Sequence, residues 1–375
     1  MKRMCYAISA LAAVGMFIAT PTLADADGKV SPLPSPTIAP TPTPTPIRVV
    51  STAVAAPFNL EVSRSGVLVA DGALNLVGKV AKDGSITPLA EDQPGASGVA
   101  LSKNGRTMAF TTTKTEPETF TNTESGLHIW GPRGRTYVDT LAYEGATNPD
   151  QKIHYGVTNP SQCVTDALTE AGIPVSYTGG VDSHAYSVAA HGGGWIVADA
   201  GSNVLWRIDR RGTLSTLAVL PAEPLTISVE QAGALGLPEC VVGVTYNFES
   251  VPTDVEVGRD GKLYVTTLPG GPESPALGAR GSVYRLHPNG KHLKKVATGF
   301  LGATNLAVAR NGDIYVAELF GGKISVVHRG EVSTFLELPG VVAVETSGRS
   351  VWAATLGDEA SQAPGTIVEV TSQRR

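Results

Sequence analysis

Asn59, Asp254 and Asn305 stand at one place in a phrase that recurs along this chain of 375 residues. Amide and carboxylate oxygens brought together are hard ligands, the chemistry that Ca²⁺ prefers. These three residues are therefore candidate metal ligands, with Ca²⁺ the candidate ion, and candidate contacts for a bound ligand. Other constellations carry less. His191-Gly192-Gly193-Gly194-Trp195 has the form of an esterase oxyanion loop, but no Gly-x-Ser-x-Gly elbow accompanies it. The seven histidines show no HExxH or other metal spacing. Asp71, Asp199 and Glu318 end strands, where side-chain hydrogen bonds to the next turn account for them. No residue is assigned as catalytic, and whether the protein is an enzyme stays open.

The elements that position these residues come from the repeat. It reads PFNLEVSRSGVLVAD from Pro57, GASGVALSKNGRTMAFT from Gly95, SHAYSVAAHGGGWIVAD from Ser183, PTDVEVGRDGKLYVTT from Pro252, ATNLAVARNGDIYVAE from Ala303 and PGVVAVETSGRSVWAAT from Pro339. In each copy a glycine follows the last aliphatic of the first strand by four residues: Gly66, Gly105, Gly192, Gly261, Gly312 and Gly348. Tight hairpin turns need positive φ, which glycine supplies without steric cost. Two further strands per copy complete a four-stranded antiparallel unit, the blade of a propeller. The expected fold is all-β, a six-bladed β-propeller over residues 47–375. Insertions fall at about 142–180 and 221–250, where SQCVTDALTEAG reads as a short helix with Ser161 as N-cap and Gly172 as stop. After Thr366–Val370 only five residues remain, so the last blade lacks a fourth strand, and the strand-like Ile47–Thr52 is expected to close the ring. Each blade's first strand lines the central channel; counting from the glycines, its leading residues are Asn59, Gly98, Ala185, Asp254, Asn305 and Val341.

Residues 1–26 read as an export signal: Lys2 and Arg3, an apolar run of 14 residues from Ala7 to Thr20, then small residues at Ala24 and Ala26. That run is too short to span a bilayer as a helix, which takes about 20 residues, so no transmembrane span is expected in the mature chain. Residues 27–46, rich in Pro and Thr, read as a disordered spacer. The expectation is a secreted or cell-envelope protein. A net charge of −5 gives no basic footprint for nucleic acid. With Cys5 in the export signal, Cys163 and Cys240 remain, one in each insertion, and in an oxidising compartment they are expected to form a disulfide.

VDSHAYSV, VADAGSNVLWRID, VPTDVEVGRDGKLYVTTLPGGPESPALGARGSVYRL and NLAVARNGDIYVAE resemble the ScyD/ScyE family of secreted or periplasmic bacterial propellers. The resemblance covers about 300 residues, is most specific between Gly179 and Val327, and implies a six-bladed, NHL-like ring without established catalysis. His184-Ala185 stands where that family is expected to have Asn-Pro, and His184 is taken as a candidate ligand contact. In gluconolactonase/regucalcin-like propellers a Glu, an Asn and an Asp hold a catalytic metal. Asp254 and Asn305 resemble two of these, and Asn59 stands where the Glu is expected. The favoured expectation is a non-catalytic, monomeric propeller that binds a ligand or cell-envelope partner on its loop-bearing face. The alternative is a metal-dependent lactonase or sugar-acid hydrolase using Asn59, Asp254 and Asn305.

Overall fold

The computed structural model describes residues 47–371 except Glu273 and Glu359. The expected export signal (1–26) and linker (27–46) lie outside the described residues. Hairpin chemistry shapes every repeat: the six turn glycines all have positive φ, from 60° at Gly192 to 121° at Gly66. Each repeat opens on an inner strand: Pro57–Ser63, Val99–Leu101, Ala185–His191, Pro252–Val257, Ala303–Val308 or Val341–Ser347. Five of these begin four-stranded antiparallel sheets whose strands follow in sequence order. In the last sheet the fourth place belongs to Ile47–Val54, paired antiparallel with Gly365–Thr371, so that Ile47 faces Val370 and Val54 faces Gly365.

The described residues contain seven such sheets, one more than the six repeats predict. The seventh joins the two insertions. Ser176–Thr178 and His154–Val157 come from the first, Thr245–Phe248 and Glu223–Thr226 from the second, paired in that order. Its central contact sets Gly156 and Val157 opposite Asn247 and Tyr246. Strands of three or four residues whose partner lies far along the chain leave no periodic signal, which is why the sequence hides this sheet. Helix α1 (Thr140–Thr147) lies against Thr121–Gly131 of the second repeat sheet, while α2 (Gln162–Glu170) and α3 (Val229–Ala234) pack into the apolar cluster of the inserted sheet. Ser161 caps α2, its Oγ accepting from the Val164 N–H, and Gly172 follows at φ 72°. Cys163 and Cys240 form a disulfide with a Cα–Cα distance of 6.4 Å, tying the two insertions together.

Packing is organised between sheets. Pro57–Ser63 packs on Val99–Leu101 and Val341–Ser347; Ala185–His191 packs on Val99–Leu101 and Pro252–Val257; Ala303–Val308 packs on Pro252–Val257 and Val341–Ser347. Six apolar clusters fill the gaps between these neighbours, and a seventh, containing Val157, Leu168, Ile227, Tyr246 and Phe248, belongs to the inserted sheet. Burying a side chain of Leu or Phe size contributes roughly 1.5–3 kcal/mol, so these interfaces carry most of the stabilisation. Strand-end carboxylates add a polar clamp. Asp71 accepts from Ala55, Ala56 and Leu74 N–H groups at 2.8–3.0 Å, and Asp199 accepts from His184 N–H, Ser202 N–H, Ser183 Oγ–H and Trp206 Nε1–H. The architecture is a β-propeller.

Candidate ligand-binding site

Asn59, Asp254 and Asn305 occupy matching places on their inner strands, each just after a β-bulge, at Pro57/Asn59, Pro252/Asp254 and Ala303/Asn305. The same bulge precedes Ser187 and Ala343. Counting back from the turn glycine named Ala185 and Val341 instead. The difference is turn length: in these two sheets the glycine is the first residue of a two-residue loop, so the count overshoots by two. Ser187 is thus a channel residue that the glycine count missed.

Each of these side chains is engaged by a neighbouring sheet. Asn59 Oδ1 accepts from Val99 N–H at 3.2 Å and Asn305 Oδ1 from Val344 N–H at 2.8 Å. Ser187 Oγ accepts from Val255 N–H at 3.0 Å and donates to Asp254 Oδ1 at 2.6 Å, while Asp254 Oδ2 accepts from Leu306 N–H at 2.9 Å. Inner strands of adjacent sheets have no shared ladder, and these side chains satisfy backbone donors that would otherwise be buried without a partner. The three candidate ligands therefore stand in one layer, with both Asp254 oxygens already accepting hydrogen bonds.

Two residues further on, and so on the same strand face, lie Glu61, Glu256 and Glu345. Leu101 N–H donates to Glu61 Oε2 at 2.9 Å. Burial raises all three above the usual carboxylate range, and the charges of Glu345, Asp254 and Glu61 raise Glu256 further. Glu345 is pushed up to about 8 and Asp254, mainly by burial, to about 6. A carboxyl that holds its proton more tightly folded than unfolded favours folding while protonated. Its contribution is complete below about 4 and is lost as pH rises through the folded value. Stability in chelator should therefore decline between about pH 4 and pH 8, and Glu345→Gln should flatten the upper part of that decline. Urea midpoints across this range test it; a midpoint that rises with pH would contradict the sign.

His184 is buried, 7% exposed, beside Tyr186 at a ring-centroid distance of 5.5 Å. Burial lowers its pKa to about 4, against the opposing pull of Asp199, so the ring is neutral near pH 7. It borders two cavities. One, of about 800 Å³, is lined by the Val54–Ala56 and Pro94–Gly95 segments, Phe120, Tyr186 and the Leu356–Asp358 loop. The other, of about 290 Å³, lies under the inserted sheet. Its walls are apolar: Leu168 and Ile173 of the first insertion, Ile227, Leu237, Tyr246 and Phe248 of the second, and the Leu268–Pro272 loop. Its other end is polar, with Asn122, Tyr177, Asp182, His184 and Glu249. Asn122 Nδ2 donates to Asp182 Oδ1 at 3.0 Å, and Asn203 Nδ2 to Glu249 Oε2 at 3.2 Å. Burial, with the charges of Asp150 and Asp182, raises Glu249. Sequence reasoning found His184 and the insertions but missed Asp182 and Glu249, which no repeat marks. Their only signal was acidity beside the insertion boundaries.

No protein-family model matches the chain, and no curated protein matches it in sequence. Among solved structures it is similar to a putative glucose dehydrogenase from Thermus thermophilus, with 15% identity over 87% of this chain and 100% of that one and a TM-score of 0.51. It is similar to the PQQ-bound aldose sugar dehydrogenase of Streptomyces coelicolor, with 13% identity over 88% and 99% and a TM-score of 0.50. A gluconolactonase from Xanthomonas campestris gives 10% identity over 87% and 89% and a TM-score of 0.50. At such identities the likeness is one of fold, and that fold is the β-propeller.

Proposed function

We propose that this protein is an exported, monomeric propeller of the ScyD/ScyE type, six repeat sheets forming its ring and the inserted sheet a cap on one face. In this reading it is a non-catalytic binder of an amphipathic small molecule. The observation that carries it is the cavity of about 290 Å³, apolar along its walls and polar at one end. A cavity of about 150 Å³ accepts one benzene, so this one has room for roughly two rings. Asp182 and Glu249 at the polar end favour a ligand carrying hydrogen-bond donors there, with His184 offering a neutral imidazole. Apolar pockets with few convergent polar groups are the usual form of a small-molecule site.

A thermal-shift panel of two-ring amphiphiles tests this. Binders should raise Tm in the parent protein, and Leu237→Trp, which fills the cavity, should abolish the shift while leaving the unliganded Tm close to the parent's. A shift that survives Leu237→Trp places the ligand elsewhere. The lactonase alternative asks Asn59, Asp254 and Asn305 to exchange their inter-strand hydrogen bonds for a metal. Turnover of a lactone panel with Ca²⁺ or Mn²⁺, lost in Asp254→Asn, would favour that reading over this one.

A further inference from the structure

Beneath α1, away from the channel and bordering but outside the ligand cavity, lies a group of buried oxygens with no hydrogen-bond partner. They are both carboxylate oxygens of Glu144, Asn148 Oδ1, Asp150 Oδ1 and Ser202 Oγ. Glu144 and Ser202 are fully buried and Asp150 is 1% exposed. Short links hold these residues together. Asn148 caps α1 through its N–H to the Glu144 carbonyl at 2.7 Å, and its Nδ2 donates to the Gly179 carbonyl at 3.2 Å. The Asp150 carboxyl fills the space a side chain at Gly179 would need. Asp150 Oδ2 accepts from Asn203 Nδ2 at 3.2 Å and from Tyr155 Oη–H at 3.1 Å, and Ser202 directly precedes Asn203.

We propose that Glu144, Asn148, Asp150 and Ser202 form a Ca²⁺ site that pins α1 to the third repeat sheet. Buried polar groups are almost always satisfied, and unpaired ones need an explanation. A proton on Glu144 would serve one neighbouring oxygen and the Ser202 hydroxyl another, and neither serves the whole group. A cation held among these oxygens would serve them together. Glu144 is buried and faces the carboxylates of Asp199, Asp150 and Asp182, an accumulation of negative charge that a positive ion would offset. Among the described residues no three of His, Cys, Asp and Glu converge as a metal-binding group. This set has two carboxylates and completes itself with amide and hydroxyl oxygens. Five protein oxygens in irregular array suit Ca²⁺, which takes 6–8 oxygens flexibly, better than Mg²⁺, which demands an octahedron and retains its waters. The inference stands apart from the ligand reading, since no residue of the set lines the ligand cavity.

Chelator-treated full-length protein titrated with Ca²⁺ or Mg²⁺, and separately with Tb³⁺, provides the test. Ca²⁺ at a hundredfold excess over Kd should raise Tm by about 4 °C, with Mg²⁺ weaker. Trp206, which donates to Asp199 and packs edge-on against Tyr143, is placed to sensitise Tb³⁺ emission, which Ca²⁺ should quench by displacement. Glu144→Gln and Asp150→Asn should lose both signals, while Asp254→Asn should keep them. Absence of both a Tm rise and sensitised emission in the parent overturns the site, as does a Ca²⁺ response abolished by Asp254→Asn but kept in Glu144→Gln. Should Glu144→Gln not fold, Ser202→Ala removes a single neutral oxygen and should weaken Ca²⁺ binding; unchanged affinity overturns the site equally.

Discussion

Deleting residues 27–54 should leave a chain without a cooperative thermal transition, whereas deleting residues 27–45 should leave Tm unchanged. The difference is the strand Ile47–Val54, which occupies the fourth place in the last sheet. Without it, Gly365–Thr371 becomes an unpaired edge five register positions long, a template for association with other chains. The apolar cluster shared by the last and first sheets loses Val54, 4% exposed, and the flanking Val50. Ser51 Oγ, which donates to the Gly84 carbonyl at 2.6 Å across the sheet boundary, goes with them. Burial of two valines alone contributes about 3 kcal/mol, a large part of a typical stability of 5–15 kcal/mol. The Arg48–Glu369 ion pair, with Arg48 well exposed, adds little. Calorimetry and size-exclusion chromatography of the two truncations decide the matter; equal melting temperatures would sink it.

Removing the disulfide should have the second-largest effect. The bond between Cys163 and Cys240 encloses a separation of 77 residues that includes the whole third repeat sheet. The loop-entropy relation gives about 4 kcal/mol for such a loop. That loss should fall on the inserted sheet rather than on the ring, because the bond joins α2 to the short turn Glu239–Val241 beside the seventh apolar cluster. In the Cys163→Ser/Cys240→Ser variant, hydrogen exchange should accelerate at 154–178 and 223–248 and stay near parental in the other sheets, and ligand-dependent shifts should vanish with the cavity. Thiol titration of the denatured, unreduced parent should find neither Cys163 nor Cys240 free; two free thiols per chain would refute the bond.

Local rules made the repeats legible. A glycine at positive φ after each inner strand is a short-range demand, so six copies could be seen without any tertiary knowledge. Ser161 as an N-cap was legible for the same reason, while the Cys163–Cys240 bond was legible from an even cysteine count once Cys5 lies in the export signal. What stayed hidden depends on partners distant in sequence. The seventh sheet pairs segments about ninety residues apart, and neither segment alternates long enough to declare itself. Ser187 was lost because turn glycines alone do not reveal turn length. Asp182, Glu249, Asp150 and Glu144 are single acids that no repeat marks, and only the folded chain brings their charges near one another.

The first described strand pairs with the last described one. Ile47 has no ladder partner until Val370 arrives, more than three hundred positions later, so the final sheet cannot form before Gly365–Thr371 has been made. Contacts of such sequence separation are slow to close, because their loop entropy is lost before they return any stabilisation. Earlier sheets can assemble from neighbours along the chain, but the circle shuts in a single late event. Once shut, neither end can peel away without reopening the interface on both sides of the last sheet. Resistance of the finished molecule to unfolding, and to proteases that attack frayed ends, should therefore exceed what its equilibrium stability alone suggests, with the rate of leaving the native state governed by how often that one seam opens.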